Sequence, residues 1–137
     1  MSIDNNSTKV KSTDHWKTPD WLMNHFKNHY DPCPYKQDLT YYDGLKEDWN
    51  SPAYVNPPYS NPLSWVEKAL EQQRKGVDIV MLLRVDVSTK FYKKIMEIHG
   101  HVVFFNERLK FSESNQSPNF SSMLVYLEGY KGVDSYV

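Results

Sequence analysis

The chain has 137 residues and a net charge of -1 at pH 7, which excludes a protein that grips nucleic acid by charge alone. Aromatics make up 15% of it, with ten tyrosines and four tryptophans, so one packed domain is expected rather than a disordered chain. A single cysteine, Cys33, excludes an internal disulfide and a clustered-cysteine metal site; no apolar run is long enough for a signal peptide or a bilayer span, so a cytoplasmic protein, of virus or host cell, without metal is expected.

Residues 1–14 are polar and aperiodic and read as a flexible arm before a single domain over 15–137. Thr18 and Pro19 offer a hydroxyl cap and a first-turn proline for a helix, on which Trp21, Leu22, His25, Phe26 and His29 recur at helical spacing. Pro32 and Pro34 make residues 30–42 irregular. Ala53 to Asn56 is a short strand candidate. Pro62 opens a second helix with Leu63, Val66, Ala69 and Leu70 on one face, ending near Gly76. The run "VDIVMLL" (77–83) reads as a strand buried on both faces. A third helix is expected over Ser88–His99 with Gly100 as its stop, then a buried strand over Val102–Phe105. Leu109–Phe111 and Ser122–Leu127 flank the polar stretch "SESNQSPNFS" (112–121) and read as a long hairpin. Trp16, Trp21, Trp49 and Trp65 read as core, with Trp16 also a candidate for a ligand pocket.

Strands alternating with helices and closing on a hairpin predict an α/β domain. Its sheet is expected to be mostly parallel with an antiparallel edge, covered by helices on both faces. Ligands of such sheets sit beyond the carboxyl ends of the strands. Three polar sets fall there: Asp31 after "HY", "NPPY" (56–59) after its strand, and "RVD" (84–86) after "VDIVMLL".

The stretch "AYVNPPYS" (53–60) carries the chemistry. Asn56 and Pro57 each precede a proline, which confines them to extended conformations, and both prolines have φ fixed. The loop is therefore stiff before any ligand arrives. Neither proline has an N–H, so the groups on offer are carbonyl oxygens and the Asn56 amide oxygen, all acceptors. Tyr59 adds a flat ring. Acceptors beside a stacking face suit a planar group carrying an NH2, such as adenine. Holding both amine hydrogens favours a pyramidal nitrogen and aims its lone pair at an activated methyl group. The same residues also read as a rigid turn ahead of a helix.

Other segments agree in order. "DHWKTPDWL" (14–22), "YDPCPY" (30–35), "DGLKEDW" (43–49), "IVMLLRVDVSTKFY" (79–92), "ERLKF" (107–111) and "SPNFSSMLVYL" (117–127) join "AYVNPPYS" in a pattern that resembles the small phage-type, Dam-like DNA N6-adenine methyltransferases. The resemblance covers roughly residues 14 to 127. It implies a minimal Rossmann-like methyltransferase sheet and S-adenosylmethionine as methyl donor. It implies double-stranded DNA as the partner, with the target base flipped out of the duplex. Asn56, Pro57, Pro58 and Tyr59 become the methyl-transfer loop. Trp16, Thr18, Pro19, Asp31, Pro32, Cys33, Asp43 and Asn56 become the cofactor site. Tyr59, Arg84, Lys90, Arg108, Lys110 and Phe120 become the DNA and base contacts.

The chain departs from the family pattern in places. Cys33-Pro34 follows Asp31-Pro32 where larger methyltransferases carry a glycine turn, and eight residues between Pro34 and Asp43 leave no room for the usual helix and second strand. Glu107 precedes Arg108 where glycine is frequent. No separate target-recognition domain fits, so the loops at 84–90 and 106–121 have to meet the DNA, with a homodimer or relaxed specificity as the compensation. The residues leave open an RNA adenine or a protein glutamine amide as acceptor, or a binding module without turnover. Thr18 also reads as a plain helix cap, Asp43-Gly44 as a turn, and Cys33 as a small packed side chain.

Overall fold

A computed structural model of the chain describes residues 16–35, 43–111 and 119–132. The expected N-terminal arm, most of the irregular stretch before Asp43 and most of the polar stretch before Phe120 lie outside the described residues. In chain order the elements are α1 (Asp20–Met23) with a 3-10 turn (Asn24–Phe26), β1 (Ala53–Val55), α2 (Pro62–Arg74), β2 (Ile79–Arg84), α3 (Lys90–Glu97), β3 (His101–Phe104) and β4 (Ser122–Leu127).

The strands form one sheet in the order β1-β2-β4-β3. β1 and β2 pair in parallel, with Val55 opposite Met81. β4 runs antiparallel to β2, with Arg84 opposite Ser122, and antiparallel to β3 on its other side. The expectation of a mostly parallel sheet is therefore corrected: one pair is parallel and two are antiparallel. The directions explain the discrepancy. β1, β2 and β3 all point the same way, as the strand–helix alternation requires. β4 is inserted between the last two and converts their neighbourhood into antiparallel ladders. Its six residues match β2 along the whole length, which four-residue β3 cannot do.

Alternation along each strand divides the core. Ala53, Val55, Ile79, Met81, Leu83, Met123 and Val125 face one way and pack with Trp65, Val66, Ala69 and Leu70 of α2 and Phe91 and Ile95 of α3. Tyr54, Val80, Leu82 and Leu124 face the other way and pack with Leu22, Phe26, Leu109 and Phe111. Both faces of β2 are thus covered, which is why its sequence is a continuous apolar run. Each large side chain so buried contributes about 1.5–3 kcal/mol.

Three local expectations are corrected. Leu109–Phe111 is not a strand, and the hairpin partner of β4 is β3. Both edges of β4 are already taken, so Leu109 and Phe111 are left to bury their side chains against Leu82 and Leu124. β3 is not buried: it is an edge strand with Val103 42% and Phe104 54% exposed. The first helix is a single turn followed by the 3-10 turn, and Pro19, not Thr18, holds its N-cap position. The second helix begins at Pro62 as read, and the chain leaves it through Gly76 at φ +100°, a left-handed conformation that favours glycine. α3 is shorter than expected, starting after the Thr89 side chain, which accepts from the Tyr92 amide.

Candidate active site

Asn56 is the first residue beyond β1. Its side-chain N–H donates to the Trp16 carbonyl at 2.5 Å and to the Thr18 hydroxyl at 3.2 Å. A carbonyl only accepts, so the contact with Trp16 sets the amide's orientation. Nitrogen faces residues 16–18. Thr18 is buried, and its oxygen also lies 2.7 Å from the Tyr54 hydroxyl. The expected helix cap is therefore part of a polar chain running from Tyr54 through Thr18 to Asn56.

Pro57 and Pro58 are buried and brace the loop from beneath, while Tyr59 is 42% exposed. The Tyr59 ring stacks on Phe120, with centroids 5.2 Å apart and planes at 25°. Arg84, at the end of β2, places its guanidinium 4.6 Å from the Tyr59 ring centroid and donates to the Tyr59 carbonyl at 3.0 Å. The same guanidinium lies 5.2 Å from the Phe91 ring. Arg84 thus holds both the backbone and the ring of Tyr59. Trp16, Asn56, Tyr59, Arg84, Phe111 and Phe120 are among the walls of one cleft at the carboxyl ends of β1 and β2.

A second cluster lies beside Tyr30, which bridges in parallel to Ala53 and so extends the sheet by one residue pair. Asp31 follows it, and its Oδ1 accepts from the Cys33 amide at 2.9 Å. Burial pushes the Asp31 carboxyl up to about 6, against the opposing effect of that N–H. Burial, and then the carboxylates of Asp31 and Asp43, push the Cys33 thiol up, so it is a packed side chain and not a nucleophile. Asp43 closes a turn by accepting from the Leu45 amide at 2.9 Å. Gly44 of that turn rests on Pro32: a Cβ there would lie 2.0 Å from the Pro32 carbonyl oxygen. The Trp49 indole N–H donates to the Gly44 carbonyl at 2.8 Å, and the Trp49 amide donates to buried Gln72 of α2, also at 2.8 Å. The turn carrying Asp43 is in this way fastened to both α2 and the Asp31 loop.

Trp16, Thr18 and Asn56 are thus brought together. So are Asp31, Pro32, Cys33 and Asp43. Tyr54 connects the sets: its hydroxyl touches Thr18, and its phenol is raised by burial and by the charge of Asp31. Lys90, Arg108 and Lys110 are exposed and lie outside the cleft. Arg108 and Lys110 border a separate groove with Phe105 and Trp21, which is 57% exposed and not the core residue its apolar ring implies. Sequence reading missed Tyr54 and Gln72. The one signal for Tyr54 is its parity with Asn56 on β1. Nothing along the chain marks Gln72 as the anchor of Trp49.

The profile of the DNA N-6-adenine-methyltransferase (Dam) family matches residues 5–135, and the chain belongs to that family. A DNA N-6-adenine-methyltransferase of Haemophilus phage HP1 (strain HP1c1) is 29% identical over 143 residues, covering 89% of this chain and 83% of its own. One from Escherichia phage T1 is 30% identical over 90 residues, covering 64% of this chain and 38% of its own. No solved structure matches the chain significantly.

Proposed function

We infer that the protein transfers a methyl group from S-adenosylmethionine to the N6 amine of adenine in DNA, using the Asn56–Tyr59 loop. The family supports the reaction and the acceptor, and with them the choice of DNA over RNA or a protein amide. The single observation that carries the site is the oriented amide of Asn56. Its nitrogen is bound to Trp16 and Thr18, and the other polar atom of the amide, Oδ1, is by its chemistry an acceptor. Oδ1 and the Pro57 carbonyl hold the two amine hydrogens and bare the nitrogen lone pair. Tyr59, held by Arg84 and stacked on Phe120, supplies the aromatic face for a base flipped from the duplex, and Phe120 has to move aside for the base to take its place on the ring. Base–aromatic stacking of this kind is worth about 1–3 kcal/mol.

Asp31 supports the cofactor site. It is a half-buried carboxylate that forms no ion pair among the described residues, and since burial raises its titration, a positive charge beside it would stabilise its ionised form. A ligand carrying ammonium and sulfonium charges fits that need. When bound, S-adenosylmethionine supplies an electrophilic methyl group. Asp31 and Asp43 are the acceptors for its donors and charges, Pro32 and Cys33 shape the wall, and Trp16, Thr18 and Pro19 close the side towards Asn56. We read the sheet as a reduced Rossmann-like one, because the parallel pair β1 and β2 ends at the cleft and β3 runs in the same direction.

The test is transfer of a labelled methyl group to adenine-containing DNA. Asn56→Ala is expected to lower kcat by about 10²–10³ while thermal unfolding shows an intact fold. Wild-type kcat in that variant would overturn the role of Asn56. A wild-type protein that binds the methyl donor in calorimetry yet methylates no DNA of varied sequence would overturn the function.

A further inference from the structure

Ser122 opens β4, opposite Arg84 in the ladder. It is 1% exposed, and its hydroxyl oxygen has no hydrogen-bond partner among the described residues. Buried polar groups in native proteins nearly always have one, and an unsatisfied hydroxyl costs about 1–3 kcal/mol. Alanine would fill the same space without that cost. The hydroxyl therefore works against the fold of the unliganded chain.

Its position supplies a reason. Ser122 lines the same cleft as Asn56 and Pro57. Alternation puts it on the face of Leu124, and Leu124 packs with Tyr54 and Leu82. Asn56 shares the parity of Tyr54, so Asn56 and Ser122 stand on one side of the sheet. Val55 pairs with Met81 and Ser122 with Arg84, so Asn56 stands level with Leu82, and Ser122 lies two strand spacings across the sheet and two residues further along it, roughly 12 Å away. Leu82 forms the floor between them, and a purine ring lying over it would span the distance between the two short polar side chains.

We propose that Ser122 reads the target base, its hydroxyl donating to a ring nitrogen that flanks the amine held at Asn56. This rests on the functional reading above. The amine is bordered by N1 on one side of the base and N7 on the other, and in adenine both are acceptors only. Acceptors at Asn56 and Pro57 for the amine, with a donor at Ser122 for the ring, give the pocket the polarity of adenine. The cost of the orphan hydroxyl in the free protein is recovered when the base enters.

The experiment compares wild-type protein and Ser122→Ala on three duplexes, after mapping the adenine that wild type methylates. That position carries adenine, 1-deaza-adenine or 7-deaza-adenine. Wild type is expected to lose about 10–100-fold in kcat/KM on one analogue. Ser122→Ala is expected to lose as much on adenine, and nothing further on that same analogue. Its thermal midpoint is expected to equal or exceed that of wild type. A variant with wild-type kcat/KM on adenine overturns the proposal, as does one whose loss is the same on all three duplexes. Wild-type protein that methylates none of them overturns the functional reading itself, and the role of Ser122 with it.

Discussion

Asp31 shows how one carboxylate can link stability to ligand charge. Its usual value is 3.8, and burial raises it to about 6 in the fold. Between those values the folded chain holds more protons than the unfolded one, so stability falls as pH rises through that window. The full loss is about 3 kcal/mol, complete by pH ~7. Asp31→Asn keeps an oxygen for the Cys33 amide and removes the buried charge. The variant is expected to melt with wild type near pH 4 and several degrees above it at pH 7–8, measured by thermal unfolding across that range. The same ionisation predicts the ligand's behaviour. Affinity for the cationic methyl donor should rise as pH passes through about 6 in wild type and stay flat there in Asp31→Asn, as calorimetry would read.

At the scale of elements, the site depends on two loops that touch without sharing a strand. The 43–49 turn has no ladder of its own. It is held by Gln72 of α2, by the Trp49–Trp65 stack at 6.4 Å, and by the close approach of Gly44 to Pro32. Gly44→Ala places a methyl group against backbone, which cannot rotate away. We expect a loss of about 1–3 kcal/mol of stability, seen in denaturant melts, and weaker binding of the methyl donor because Asp43 is pushed from Asp31. Unchanged stability and affinity would mean that the two loops yield easily and that their contact does not shape the pocket. The insertion of β4 is a matter of this scale too. It places Ser122 and Arg84 side by side, and it leaves β3 as an edge.

For the molecule as a whole, a net charge of -1 leaves little long-range attraction for DNA. Contact with phosphates then rests on local cations. Arg108 and Lys110 are exposed, and neither forms an ion pair among the described residues. Lys110 is the neighbour in the chain of Phe111, which lines the cleft, and Arg108 stands two residues before Lys110, so we propose these two as phosphate contacts. Replacing both with alanine is expected to flatten the plot of log affinity against log salt by about 1–2 units, since each phosphate contact adds about 0.9 to the slope. Fluorescence anisotropy with labelled duplex at several salt concentrations measures it. An unchanged slope would place the DNA on another face. Among the described residues no helix is long and apolar enough to cross a membrane.

The order of strands and helices, the two-sided burial of β2 and the stiffness of the Asn56–Tyr59 loop are written in the chain itself. Each depends on neighbours along the backbone: proline confines the residue before it, and apolar spacing selects a face. Which strand pairs with which is another kind of question. "HVVF" and "SMLVYL" are both apolar enough for an interior place, and their competition for the free edge of β2 is settled by matching length and packing. Thr18 illustrates the same divide, since its cap signal is local while its partners Tyr54 and Asn56 lie more than 30 residues away. The meeting of Asp31 with Asp43, the grip of Arg84 on Tyr59 and the unsatisfied hydroxyl of Ser122 exist only once the sheet has closed, because hydrogen bonding and burial are properties of contacts, and these contacts join segments far apart in the chain.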